Sequence, residues 1–195
     1  RKKAGGGTTL TRLDASGSVR ISSNEESIIG QSAVFDLEKA IFIINGKKVI
    51  YQTSNSTITA NQQMEYWERQ RMAIARGNAV AVNEGKTISA DVLTALFAKK
   101  KGGGSEVYLV EAFDNVFIAS DQDRLRADRG IYQVKSGIAT LTRNVTITRG
   151  KNILTGDKAK IDLKTGISKL LTVDNIVSGR GANKRVRGLI YPQKK

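Results

Sequence analysis

The chain has 195 residues and neither cysteine nor histidine, which excludes disulfides, thiolate metal centres, imidazole bases and the serine–histidine–aspartate triad. Its 32 basic and 18 acidic residues leave a formal charge of +14, a field that draws polyanions: nucleic acid, an anionic membrane surface or phosphorylated small molecules. The length suits one domain or two small ones, and no apolar run of about 18 residues is present to span a bilayer as a helix.

Residues 1–12 read as a basic, disordered tail containing Gly5, Gly6 and Gly7, residues 13–192 as one domain, and residues 193–195 as a second tail. Within the domain a phrase recurs. It opens faintly at Ser18, followed by Ile28-Ile29-Gly30-Gln31. It returns at Lys48 with Ile58-Thr59-Ala60-Asn61, and at Asn78 with Ile88-Ser89-Ala90-Asp91. The clearest copies are Asn115 with Leu125-Arg126-Ala127-Asp128, and Asn144 with Leu154-Thr155-Gly156-Asp157. The second marker follows the first at one constant interval in all five copies: Ser18 to Gln31, Lys48 to Asn61, Asn78 to Asp91, Asn115 to Asp128 and Asn144 to Asp157. The openings of successive copies are also nearly evenly spaced, except that the step from Asn78 to Asn115 is longer than the others. That long step holds Lys99 to Ser105, a segment that reads as a basic, flexible loop inserted into one repeat. A partial sixth copy opens at Asp174. Repeats of this length are supersecondary units that bury their apolar faces against one another.

Each copy reads as strand, turn, strand, turn, strand, roughly fifteen strands in all at the usual strand length. Glu65 to Ala75 has helical propensity, but its place in the repeat makes it strand, and tertiary context overrides propensity. Period-2 alternation puts Val49 with Tyr51, Val116 with Ile118, and Val145 with Ile147 on one face of the first strand. In the second strand Ile28, Ile58, Ile88, Leu125 and Leu154 form a column, with the small residues Gly30, Ala60, Ala90, Ala127 and Gly156 two positions on. The third strand carries Ile138 and Leu141, or Ile167 and Leu170. Such columns make either a filled core or a trough in which the small residues leave room for an acyl chain. The architecture is either an elongated sandwich or jelly roll, or a parallel solenoid; periodicity does not reveal strand direction.

Little points to catalysis. Asp121 with Asp123, Glu25 with Glu26, and Asp157 with Asp162 are the acidic pairs that a carboxylate enzyme would need. Asp91, Asp128 and Asp157 recur at equivalent positions, which reads as turn or strand-end structure instead. No nucleotide-binding or calcium-binding loop is present, so no catalytic residue, metal or cofactor is expected. Aromatics are 6%, with no basic-aromatic platform for nucleic acid. A basic polyanion-binding module stays the alternative.

The phrases around Asn144, Leu154-Thr155-Gly156-Asp157-Lys158-Ala159 and Asp162-Leu163-Lys164-Thr165-Gly166, with the ending Arg185-Val186-Arg187-Gly188-Leu189-Ile190-Tyr191-Pro192, resemble the LptA/OstA family of lipopolysaccharide-transport proteins. The resemblance implies an all-β, open jelly roll of antiparallel strands, located in the periplasm, with an export signal outside this sequence. It implies a non-enzymatic carrier that stacks head to tail into a bridge between inner and outer membranes, with LptC-like and LptD-like partners. The soluble domain of an LptC-like protein is the nearest alternative. On that reading Ile28, Val49, Tyr51, Ile58, Ile88, Val116, Ile118, Leu125, Val145, Ile147 and Leu154 line a lipid trough. Arg20, Arg76, Arg143, Arg149 and Lys151 are the candidates for phosphates and sugars. Val186, Leu189, Ile190 and Tyr191 form the edge that pairs with the next molecule.

Overall fold

The computed structural model describes residues 9–120, 123–165, 168–171 and 187–189. Alternation of β-branched and polar residues yields fourteen strands among these residues, every pairing antiparallel. Antiparallel pairing throughout decides for the jelly roll over the parallel solenoid. Eight strands are long: β1 (Arg12–Ser22), β2 (Glu26–Asp36), β7 (Met72–Asn83), β8 (Lys86–Lys99), β9 (Ser105–Ala119), β10 (Asp123–Gln133), β11 (Ile138–Arg149) and β12 (Asn152–Asp162). Between β2 and β7 lie four short ones: β3 (Ile41–Asn45), β4 (Val49–Thr53), β5 (Ser56–Ala60) and β6 (Gln63–Trp67). The chain closes with β13 (Ser168–Leu171) and β14 (Arg187–Leu189), both paired with β12.

The pairing splits along each long strand. The first part of β2 pairs with β4 and its second part with β3. The first part of β7 pairs with β6 and its second part with β5. Every long strand therefore contributes one half to a layer containing β4 and β5, and the other half to a layer containing β3 and β6. The ladder registers shift between the two halves, at Ser16/Val19, Arg76/Ala79, Ser89/Val92, Ala127/Arg129 and Thr142/Val145. A bulge bends a strand, and a row of bulges folds the whole sheet over itself.

The repeat markers are these corners. Gly17-Ser18, Gly77-Asn78, Asp114-Asn115 and Arg143-Asn144 all carry positive φ, between 47° and 88°. Asn, Asp and Gly enter that left-handed region most cheaply, which is why asparagine recurs there. The Asn115 Nδ2 donates to Asp91 Oδ2 at 2.8 Å, and Asn144 Nδ2 donates to Asp128 Oδ2 at 2.8 Å. These aspartates lie inside β8 and β10, tying neighbouring corners together, rather than at strand ends. In the second copy the corner is a full break between β3 and β4, and the backbone bonds Gly46 N to Gln62 O (2.9 Å) and Asn61 N to Gly77 O (2.7 Å) hold it. The third strand of one copy and the first strand of the next are two halves of one strand, as in β7, β9 and β11. The stretch with helical propensity forms β6, a turn at residues 68–71, and the start of β7.

Candidate functional site

The two layers face each other, and their facing side chains form two rows in each layer. In the β4–β5 layer one row reads Ile21, Ile28, Tyr51, Ile58, Ala81, Ile88, Ile118, Leu125, Ile147 and Leu154, each residue opposite the next in the ladders. Nearer the corner lie Val19, Gly30, Val49, Ala60, Ala79, Ala90, Val116, Ala127, Val145 and Gly156. All eleven residues expected to line a trough fall in these two rows, and all point inward. They represent one wall.

Of the opposite wall, in the β3–β6 layer, the sequence pattern singled out only Leu141 and Leu170. Its corner row is Ala33, Ile44, Met64, Ala75, Leu93, Ala112, Gly130, Leu141, Ala159 and Leu170. Its outer row is Leu13, Phe35, Phe42, Tyr66, Ala73, Ala95, Val110, Tyr132, Ala139 and Ile161. Alternation within β11 was the available signal: Ala139 and Leu141 are buried together, whereas Ile138, three residues from Leu141, lies on the other face.

The corner rows are buried along their length except at Gly156 and Leu170, which are half-buried. Ile44, Val49, Leu141 and Ala159 are fully buried, and each large apolar side chain among them contributes about 1.5–3 kcal/mol. The small residues do not leave space here, so of the two readings of these columns the corner follows the filled core. A Cβ on Gly30 would lie 2.5 Å from Ile44 Cγ1, and one on Gly156 would lie 2.9 Å from Leu170 Cγ. Glycine at these points lets the opposite layer's side chain fill the gap, so the layers close at the corner.

The rows at the mouth differ along the molecule. Ile118, Leu125 and Ile147 are at most 5% exposed, and Ala139 and Ile161 opposite them are 1% exposed. The cavity between the walls there, lined by Ile88, Ile118, Tyr132, Ala139 and Leu141 among others, measures about 10 Å³, room for no more than about one water. From β2 to β8, by contrast, Ile28, Tyr51, Ile58, Ala81, Ile88, Phe35, Phe42, Tyr66, Ala73 and Ala95 are all half-buried. Along that stretch the facing apolar rows are only partly covered at the mouth, while Ile28, Phe42, Tyr51, Ile58, Ala81 and Ile88 pack against the buried core. Burial, and then Glu26, raises the Tyr51 phenol well above its ordinary value, and its neutral hydroxyl donates to the Glu26 carboxylate at the rim.

The outer face of the open stretch is held by polar contacts. Glu65, 6% exposed, accepts from Arg76 Nε (2.6 Å), Trp67 Nε1 (2.7 Å) and Gln63 Nε2 (2.8 Å). Burial alone would raise its pKa, but these three donors outweigh it and leave the carboxyl below its ordinary value.

The five expected phosphate contacts do not converge. Arg76 is engaged by Glu65, and Arg149 forms a bidentate pair with Asp123 at 2.7 and 2.8 Å. Arg20 lies exposed on β1, Arg143 at a corner and Lys151 in the β11–β12 turn. A cationic cluster that sequence reasoning missed lies instead at the β6–β7 turn and the β8–β9 hairpin, where Arg69, Arg71, Lys99 and Lys100 line one pocket. Its signals were the inserted lysines and two arginines hidden in the helix-like stretch.

Of the expected assembly edge, Val186, Ile190 and Tyr191 lie outside the described residues. Leu189 is exposed and pairs through β14 with Ile153 of β12. At the other end β1 pairs only with β2 among the described residues, and most of its residues are exposed.

Residues 57–167 match the family model described as LptA/(LptD N-terminal domain) LPS transport protein. An uncharacterized protein of Rhizobium meliloti (strain 1021) is 25% identical over 117 residues, covering 56% of this chain and 62% of that protein. The chain thus spans less than two thirds of that relative. The crystal structure of LptH, the LptA-homologous periplasmic component of the lipopolysaccharide transport device of Pseudomonas aeruginosa, matches with a TM-score of 0.57 at 16% identity. The match covers 70% of this chain and 95% of that one, a likeness of fold.

Proposed function

Because this chain belongs to the LptA/(LptD N-terminal domain) family of LPS transport proteins, we propose that it carries lipopolysaccharide across the periplasm, with acyl chains held between its two layers. The observation that carries this reading is the pair of facing apolar rows, half-buried from β2 to β8 and continuous with the closed rows beyond. An acyl chain in that groove is shielded from water at about 0.8 kcal/mol per CH₂. The closed stretch admits a chain only when the mouth rows of β9–β12 separate, so passage along the molecule is a progressive opening of the wall. The basic surface suits phosphorylated sugars outside the groove. The role needs no reaction at the protein.

Continuity from membrane to membrane requires stacking. Among the described residues β1 at one end pairs only with β2, and β13 and β14 at the other pair only with β12, so an adjoining molecule would extend these edges head to tail. LptC-like and LptD-like components would cap the stack by the same edge pairing.

A photo-crosslinking residue placed at Ile58 or Phe42 is expected to capture added lipopolysaccharide. The same residue at the outward positions Thr57 and Thr59 is expected to capture none. Adducts confined to the threonines would reverse the facing and remove the groove as the carrier. For assembly, a chain ending at residue 185 is expected to stay folded and to lose concentration-dependent association in light scattering; unchanged association would discard the edge-pairing proposal.

A further inference from the structure

A pocket of about 740 Å³ opens where the β6–β7 turn meets the hairpin that joins β8 to β9. Arg69, Arg71, Lys99 and Lys100 line it against a single carboxylate, Glu68. Among the described residues none of these four cations is in an ion pair. Arg69 is positioned through Nη2, which donates to a neutral acceptor, the Glu38 carbonyl, at 2.6 Å. Four arginines elsewhere are engaged, Arg76 and Arg149 by carboxylates and Arg126 and Arg129 by the faces of Phe117 and Phe113. Four cations around one concavity repel one another, and a multiply charged anion between them relieves that repulsion.

The hairpin is built to present its lysines. Gly102, Gly103 and Gly104 have φ of +103°, +103° and +77°, and a Cβ on any of them would meet nothing within 4 Å. Backbone conformation, not crowding, requires glycine there, and the resulting tight tip brings Lys100 N to Gly104 O at 3.2 Å. Lys99 to Ser105 is also the segment that lengthens this one repeat. Tyr66 belongs both to this pocket and to the apolar mouth row, beside Phe42. An anion seated in the pocket thus has an apolar groove adjoining it.

We propose that this pocket is a phosphate-recognition site for the headgroup of an amphiphile whose chains enter the groove at Phe42 and Tyr66. The assignment rests on the carrier reading above and adds to it a fixed seat for the phosphates and a direction of entry. The chemistry recognised is a phosphate or diphosphate ester; free inorganic phosphate would share it, and the test separates the two.

Crosslinking yield from a photoreactive residue at Phe42, followed against lipid concentration, reads the affinity. The unmodified chain is expected to bind phosphorylated lipopolysaccharide about tenfold or more tighter than its phosphatase-treated form. Arg69→Gln/Lys99→Gln/Lys100→Gln is expected to bind both at the level of the treated lipid, and Lys99→Gln/Lys100→Gln, confined to the exposed hairpin, to lose part of the preference. Arg20→Gln/Lys86→Gln/Lys151→Gln, with the same loss of charge elsewhere, is expected to keep it. A preference that survives the first variant, or that falls equally in the third, overturns the site and leaves the carrier reading standing. Pyrophosphate that displaces nothing at the lipid's own concentration supports a lipid headgroup; pyrophosphate binding as tightly as the lipid overturns it in favour of a free anion. Failure of the unmodified chain to bind either lipid overturns the carrier reading itself.

Discussion

The stretch from β2 to β8 and the stretch from β9 to β12 share one layout, yet they are stabilised differently. In β9–β12 most of the mouth is buried as well as the corner, with Val110, Tyr132 and Leu154 half-buried, and Leu125, Leu141, Val145 and Ile161 are at most 1% exposed. In β2–β8 the corner rows are filled, but the mouth rows stand half open, and the outer face supplies a second support through Glu65, Arg76 and Trp67. Partly uncovered mouth rows forgo interior packing, and polar contacts behind the wall offset part of that loss. The same repeat thus buries most of its mouth in one half and leaves it partly uncovered in the other. The difference lies in what faces what: both mouth rows carry alanine at β7, Ala73 and Ala81, whereas β10 to β12 set Leu125 and Ile147 against Tyr132, Ala139 and Ile161.

Three measurements sharpen or break this contrast, in order of expected effect. Leu141→Ala, in the closed half, is expected to lower the unfolding free energy by about 2–5 kcal/mol in denaturant titration, and Ile58→Ala, at the open mouth, by less than half as much. Equal losses would mean that the two halves are packed alike. Gly30→Ala brings a methyl against Ile44 Cγ1 and the Asn45 carbonyl oxygen, so it is expected to cost about 1–3 kcal/mol by the same measurement. No loss would show that the corner has slack and that the small residues do leave room.

The smallest effect is a pH dependence seated in the open half. Glu65 has a folded pKa below its unfolded value, whose ordinary figure is 4.5. The unfolded chain therefore takes up the proton first, and the stabilisation is complete above that value and is lost as pH falls through the folded one. The melting midpoint of the unmodified chain should hold steady down to about pH 5 and then fall. Glu65→Gln should start lower and lose less over the acid range; identical profiles would remove Glu65 as the support of the open stretch.

Much of this was legible because the trip through one layer has constant length. From corner to corner the β4–β5 layer takes the same number of steps in every copy, so its columns align by eye: Ile28, Ile58, Ile88, Leu125 and Leu154. The return trip through the β3–β6 layer does not. It runs from Gln31 to Lys48, from Asn61 to Asn78, from Asp91 to Asn115 and from Asp128 to Asn144, the third much the longest and the fourth the shortest, and its columns blur. Most of the second wall, with Phe42, Tyr66 and Leu93, was hidden for that reason. The cationic pocket was hidden for another: Arg69 and Lys99 are far apart in sequence and meet only because β6, β7, β8 and β9 are consecutive neighbours in one layer.

Local chemistry alone settled that the chain makes strands, that it repeats, and where each strand turns: alternation follows from the pleat, and asparagine and glycine mark corners because few other residues tolerate a left-handed backbone. Folding settled which rows meet. Whether a glycine is a gap or a socket depends on the side chain that arrives from the opposite layer, and that partner, like the distance between two walls, has no trace in the spacing of residues along either one.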